Sequence, residues 1–222
     1  MRVLITGANR GIGLAMAQAH ARRGDIVHAV VRRGSASLSA SGARVHEGLD
    51  LGADAVPAEL AQRLGAERLD RLVLNAGILR SEALDAFDAA SAQRVAEQFL
   101  INALAPLRLV AALRAHLAPG AKIGLITSRM GSIEDNGSGG YYGYRMSKAA
   151  LNAAGRSLAI DLRADGVAVF LLHPGFVRTE MTGGQGDRSA DEAAAGLIAR
   201  LDELDLARSG TFWHANGSAL PW

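Results

Sequence analysis

Thr6-Gly7-Ala8-Asn9-Arg10-Gly11-Ile12-Gly13 follows an apolar run, Arg2 to Thr6, and leads into a helix-patterned stretch near Ile12 to Arg23. Its glycines are spaced G-x-x-x-G-x-G. Glycine permits a tight turn and a close backbone approach, and a helix opening at Gly11 offers free N–H groups to a pyrophosphate. The stretch therefore reads as strand, phosphate-binding turn and helix, with Gly7, Asn9, Arg10, Gly11, Ile12 and Gly13 as candidate contacts. A plain βα turn is the alternative that glycine spacing alone leaves standing.

Outward from this stretch the alternation repeats. Asp25 to Val31, Ala43 to Gly48, Asp70 to Leu74, Lys122 to Thr127 and Val167 to His173 read as strands. Val56 to Leu64, Ala92 to Leu117, Tyr144 to Ala164 and Ala190 to Leu204 read as helices. Strand and helix in alternation predict an α/β fold of parallel βαβ units with helices on both faces of the sheet. Crossovers are expected to be right-handed, and a ligand to lie at the carboxyl ends of the strands. A chain of 222 residues with no internal repeat suits one domain, 1–222.

Composition narrows the function classes. Hydrophobic residues make up 49% of the chain, yet the longest uninterrupted apolar run, Val167 to Leu172, has the length of a strand and not of a bilayer span. The chain enters Val3-Leu4-Ile5 without a signal-peptide layout, so a soluble protein with no membrane partner is expected. Absence of cysteine removes disulfides, thiolate metal sites and thiol nucleophiles, and fits the reducing cytoplasm. A net charge of +2 with acids and bases interspersed offers no stripe for nucleic acid.

Candidate site residues fall at predicted strand ends. Arg32 and Arg33 follow the second strand where an acidic residue would select a ribose 2′-hydroxyl; together with Arg10 they suit a 2′-phosphate, hence NADP(H) over NAD(H). Asp50 and Leu51 are placed to reach an adenine, and Asn75, Ala76 and Gly77 the centre of a dinucleotide. Asn102 lies four residues before Pro106, which lacks the N–H that would bond the carbonyl of residue 102. That carbonyl is expected to be free to hold a water in a bent helix, unless the kink serves packing alone.

After the fifth strand, Ser128 is a candidate carbonyl-polarising donor, with Ser132 competing for the role. Tyr144 and Lys148 share a helix face at i, i+4. Two unit charges about 4 Å apart at an effective dielectric near 20 interact by roughly 4 kcal/mol, about three pKa units, which predicts a phenol poised near neutrality. Tyr141 and Tyr142 are followed at that spacing by Arg145 and Met146, so they are not rivals. His173-Pro174-Gly175-Phe176-Val177-Arg178-Thr179 offers a rigid turn to wall off a nicotinamide, with Pro174, Gly175, Val177 and Thr179 as contacts. His173 reads as a strand-end residue, and no metal site is expected.

These motifs, in order from residue 6 to residue 179, closely resemble the short-chain dehydrogenases/reductases. Thr6 to Gly13 is similar to that family's TGxxxGxG loop, Asn75-Ala76-Gly77 to its NAG, Tyr144 with Lys148 to its YxxxK, and Pro174-Gly175 to Thr179 to its PG-x-x-x-T turn. The resemblance implies a Rossmann-type doubly wound sheet of about seven strands in the order 3-2-1-4-5-6-7. It also implies a catalytic tetrad: Tyr144 exchanges the proton, Ser128 holds the substrate oxygen, Lys148 binds ribose and acidifies the tyrosine, and Asn102 holds a relay water. Tyr144 and Lys148 then also contact the cofactor.

The glycine-rich loop between Ser128 and Tyr144, and the ending Gly210-Thr211-Phe212-Trp213 through Leu220-Pro221-Trp222, resemble the branch holding C-factor-like proteins and small carbonyl reductases. The implied activity is NADP-dependent hydride transfer between nicotinamide and a carbonyl or alcohol. A brief segment from Gly183 to Asp191, where the family carries its lid, implies an open pocket. The family's habit of pairing the helices around Asn102 and Lys148 implies a homodimer, with Ala149, Ala150, Ala153 and Ala154 as a small face. A signalling or regulatory member with little turnover is the rival reading. A sugar-nucleotide epimerase or dehydratase is disfavoured by the short chain after Thr179.

Overall fold

The computed structural model describes residues 1–222. Seven strands, β1 (Arg2–Thr6), β2 (Ile26–Val30), β3 (Arg44–His46), β4 (Leu69–Leu74), β5 (Leu117–Ile126), β6 (Ala168–His173) and β7 (Thr211–His214), form one sheet in the order β3-β2-β1-β4-β5-β6-β7. Every pairing is parallel. The helices are α1 (Gly11–Arg22), α2 (Ala36–Ser39), α3 (Val56–Leu64), α4 (Ala89–Phe99), α5 (Ala105–Leu113), α6 (Tyr142–Asp161) and α7 (Ala190–Glu203).

The sheet is apolar on both faces, as a sheet covered by crossover helices must be. Alternation along β1 sends Leu4 to one core, shared with Leu60 of α3, Leu109 of α5 and Leu151 of α6. Val3 and Ile5 point the other way, to Met16 of α1 and Leu197 of α7. The doubly wound order read from the family resemblance is the order present.

Three elements differ from the sequence reading. The strand β7 lies outside the six apolar runs; its turn glycine, Gly210, sits at φ 79°. The strand β5 starts at Leu117, because Leu117 pairs with Leu69 ahead of a register shift. The expected helix from Ala92 to Leu117 starts at Ala89, where the Asp88 side chain accepts from the Ser91 N–H at 2.8 Å, and it is interrupted by a π-helical turn, Leu100–Leu104. The helical run Ala89–His116 is long and apolar enough to cross a bilayer by length and composition. Here its Leu109, Val110 and Leu113 pack into the core, and its Ser91, Gln98 and Asn102 are buried and bonded to protein partners.

Candidate active site

The glycine turn is fixed by Thr6 and Asn75. The Thr6 hydroxyl accepts from the backbone N–H of Asn75 at 3.0 Å and of Ala76 at 3.1 Å. The Asn75 amide donates back to the carbonyls of Thr6 at 3.0 Å and Gly7 at 3.3 Å. A side chain at Gly13 would run into the Gly7 carbonyl and the Asn75 amide, so only glycine lets the helix start this close to the strand. Arg10, the residue capping α1, is extended and supplies no side-chain cap, which leaves first-turn N–H groups facing the cleft.

Around this turn the expected contacts assemble unevenly. Arg32 and Arg33 are exposed and enter no ion pair, whereas Arg10 pairs with Glu180. Asp50 turns back on its own loop, accepting from the Gly52 N–H at 3.1 Å, and Leu51 packs against the core. Asn75 serves the loop with its side-chain amide nitrogen. Gly77 faces Asn102 and Lys148: a Cβ there would lie 3.1 Å from Asn102 Oδ1 and 3.6 Å from Lys148 Nζ. On the far wall Pro174 and Val177 are buried, Gly175 adopts φ 94°, and Thr179 stands opposite the glycine turn, its Cγ2 3.4 Å from where a Gly11 Cβ would be. Ile12 is partly exposed and packs against the α1 core.

The helix α6 buries Tyr144, Ser147, Lys148 and Asn152 along one face. Lys148 donates to the Ile126 carbonyl at 2.9 Å, with its ammonium 5.7 Å from the centroid of the Tyr144 ring. Burial pushes the Tyr144 phenol up to about 12, while hydrogen bonding with the Ser128 side chain pulls the other way. Burial also lowers Lys148 to about 8. In the protein alone burial sets both directions, and the phenol is not drawn toward neutrality by its lysine.

The bend expected at Asn102 takes the form of the π turn Leu100–Leu104. Pro106 enters through the π turn, in which the Ala105 N–H reaches the Leu100 carbonyl. The side chain of Asn102 is a clamp: Oδ1 accepts from the Ile78 N–H at 2.8 Å, and Nδ2 donates to the Ile78 carbonyl at 2.8 Å and to Ser147 Oγ at 3.0 Å. Ser147 Oγ in turn donates to the Tyr144 carbonyl at 2.8 Å.

The two serines separate cleanly. Ser132 Oγ donates to the Trp222 carbonyl at 3.0 Å and accepts from the Asp135 N–H at 3.1 Å, so it is engaged elsewhere. Ser128 Oγ accepts from the Met130 N–H at 3.1 Å and lies beside the phenol. His173 sits at the end of β6, edge-on to His214 with ring centroids 5.0 Å apart, and burial drives it down to about 3.

Several supporting residues escaped the sequence reading. Ser147 and Asn152 lie at helical spacing from Tyr144, and that spacing was a usable signal. Thr127 donates to Asn152 at 2.7 Å, and Asn152 donates to the Gly131 carbonyl at 3.3 Å. Buried Glu82 accepts from Gln98 at 2.7 Å and from the Gly143 N–H at 3.1 Å, which fixes the start of α6 one residue before Tyr144. No local pattern marks Glu82 or Gln98.

Residues 1–190 match the family model described as short chain dehydrogenase. A 1-hydroxy-2-glutathionyl-2-methyl-3-butene dehydrogenase from Rhodococcus sp. (strain AD45) is 40% identical over 227 residues, covering 99% of this chain and 99% of the relative. C-signal of Myxococcus xanthus is 45% identical over 130 residues, 58% of this chain and 78% of that protein. An NADPH-bound carbonyl reductase from chicken fatty liver has the same fold with a TM-score of 0.89 at 31% identity, covering 100% of this chain and 98% of that one. A glycine turn locked to the fourth strand, a buried tyrosine–lysine helix and these likenesses over nearly the whole length lead to one conclusion: the chain belongs to the short-chain dehydrogenase/reductase family.

Proposed function

We propose that the chain is an NADPH-dependent carbonyl reductase, running in reverse as an alcohol dehydrogenase. The observation that carries this reading is the burial of Tyr144, Ser128 and Lys148 together at the carboxyl edge of the sheet, beside a glycine turn flanked by unpaired Arg32 and Arg33. The residues suit a dinucleotide. Lys148 has three N–H donors and uses one on Ile126, which leaves two for ribose hydroxyls. Arg32 and Arg33 would hold a 2′-phosphate, and the α1 N-terminus the pyrophosphate.

When bound, NADPH supplies the hydride that reaches the carbonyl carbon. Ser128 donates a hydrogen bond to the carbonyl oxygen and withdraws electron density from the carbon. Tyr144, fully protonated at neutral pH, gives its proton to that oxygen, so a carbonyl plus hydride plus proton becomes an alcohol. Asn102, through Ser147, holds the helix turn on which Tyr144 stands. At neutral pH the phenol is in the protonated form that reduction needs; the reverse reaction needs the phenolate and is expected to gain with rising pH.

The exposed apolar residues Phe99, Leu104, Leu107, Met146 and Ile160 on the helices around Asn102 and Lys148 support a homodimer through that face. A cysteine-free chain whose most apolar helix is packed into a core fits the cytoplasm.

The test is NADPH oxidation against aldehydes, ketones and quinones, with glutathionylated alcohols assayed in reverse because the Rhodococcus relative's name specifies one. Turnover with NADPH is expected. Saturable NADPH binding with no turnover on any of these substrates would favour the regulatory reading instead.

A further inference from the structure

We propose that Trp222 is a positioning residue for the catalytic serine, holding through Ser132 the turn that carries Ser128. The inference rests on the role given to Ser128 above. After β7 the chain folds back along that edge strand: the His214 N–H bonds the Ser218 carbonyl at 2.8 Å and the Leu220 N–H bonds the Phe212 carbonyl at 2.9 Å. The Trp222 ring then stacks on Phe212 with centroids 5.8 Å apart and planes at 27°. This stacking fixes the Trp222 carbonyl, which accepts from Ser132 Oγ at 3.0 Å and from the Glu134 N–H at 2.9 Å.

From Ser132 the linkage reaches the chemistry in one turn. The Ser132 N–H bonds the Arg129 carbonyl at 3.0 Å, and the Gly131 N–H bonds the Ser128 carbonyl at 2.8 Å. On its other side the turn is pressed against α6: a Cβ at Gly131 would stand 2.7 Å from the Lys148 carbonyl carbon. The helix and the tail thus both hold the Ser128 turn. Loss of the tail would leave the buried Ser132 hydroxyl without its present acceptor. Trp222 is itself half exposed, so its stacking is not needed to close the core.

The test compares Trp222→Ala, Trp222→Phe and Ser132→Ala with Ser128→Ala, measuring kcat, KM, NADPH affinity and Tm. Trp222→Ala and Ser132→Ala are expected to lower kcat about tenfold each, the effect of one misplaced hydrogen bond, with NADPH affinity changed less than about twofold. Trp222→Phe, which keeps a stacked ring, should restore most of kcat, and the double variant should lose little more than either single one. Unchanged kcat in both single variants, or kcat falling only in parallel with Tm and NADPH affinity, overturns the proposal. Ser128→Ala separates the layers: if it leaves turnover intact, the reading of the site fails; if it abolishes turnover while Trp222→Ala and Ser132→Ala do not lower kcat, only this inference fails.

Discussion

At the β2 end of the cleft Arg32 and Arg33 stand in solvent without ion pairs, whereas at α6 Tyr144 and Lys148 are buried and carry shifted pKa values. Exposed arginines without a partner would contribute only when a complementary anion arrives. The buried pair is already desolvated and held, by Ile126, Ser128 and Ser147, before any ligand enters. On the proposed function, one end of the cleft would select among cofactors and the other would carry preorganised chemistry.

Substituting the buried end should produce the largest effect. Tyr144→Phe is expected to reduce turnover by about 10³-fold while NADPH affinity changes less than about twofold. Unchanged kcat would remove the proton-transfer role. Next comes the exposed end: replacing Arg32 and Arg33 together by alanine should weaken NADPH about 30-fold, the equivalent of about 2 kcal/mol of charge-assisted bonding, and leave NADH nearly unaffected. Equal losses for both cofactors would show that neither arginine reads the additional phosphate.

The smallest effect concerns stability. Lys148 has a folded pKa of about 8, below its ordinary 10.5, so between those values the folded protein binds fewer protons than the unfolded one, and stability rises with pH across that window. Below pH 8 the full burial penalty applies, on the order of 3 kcal/mol before other losses. Lys148→Met should therefore raise Tm by about 2–4 °C at pH 7 while abolishing turnover, because the freed Ile126 carbonyl offsets part of the gain. The difference between the two proteins should shrink toward pH 10. A fall in Tm at pH 7 would mean that the buried ammonium is no burden to the fold.

Local features were legible in the sequence. The glycine turn, the tyrosine–lysine pair and the alternation that sets the sheet all lie within a few residues of themselves, where periodicity and backbone chemistry speak directly. What was not legible joins distant segments: Glu82 to Gly143, Ser132 to Trp222, and Asn102 to both Ile78 and Ser147. The burial that raises the Tyr144 phenol is illegible for the same reason. Spacing gives the neighbour along the helix but not the depth at which the helix lies.

The π-helical turn at Leu100–Leu104 has a consequence for how such a protein can change. That turn accommodates one residue more than the α-helix it interrupts, and each residue rotates a helix by about 100°. Point substitution cannot undo a surplus residue. Deleting one residue here would swing α4, with Gln98 and its hold on Glu82, away from α6 while α5 stayed seated on the sheet, so this part of the chain is expected to tolerate exchange of side chains far better than any change in length.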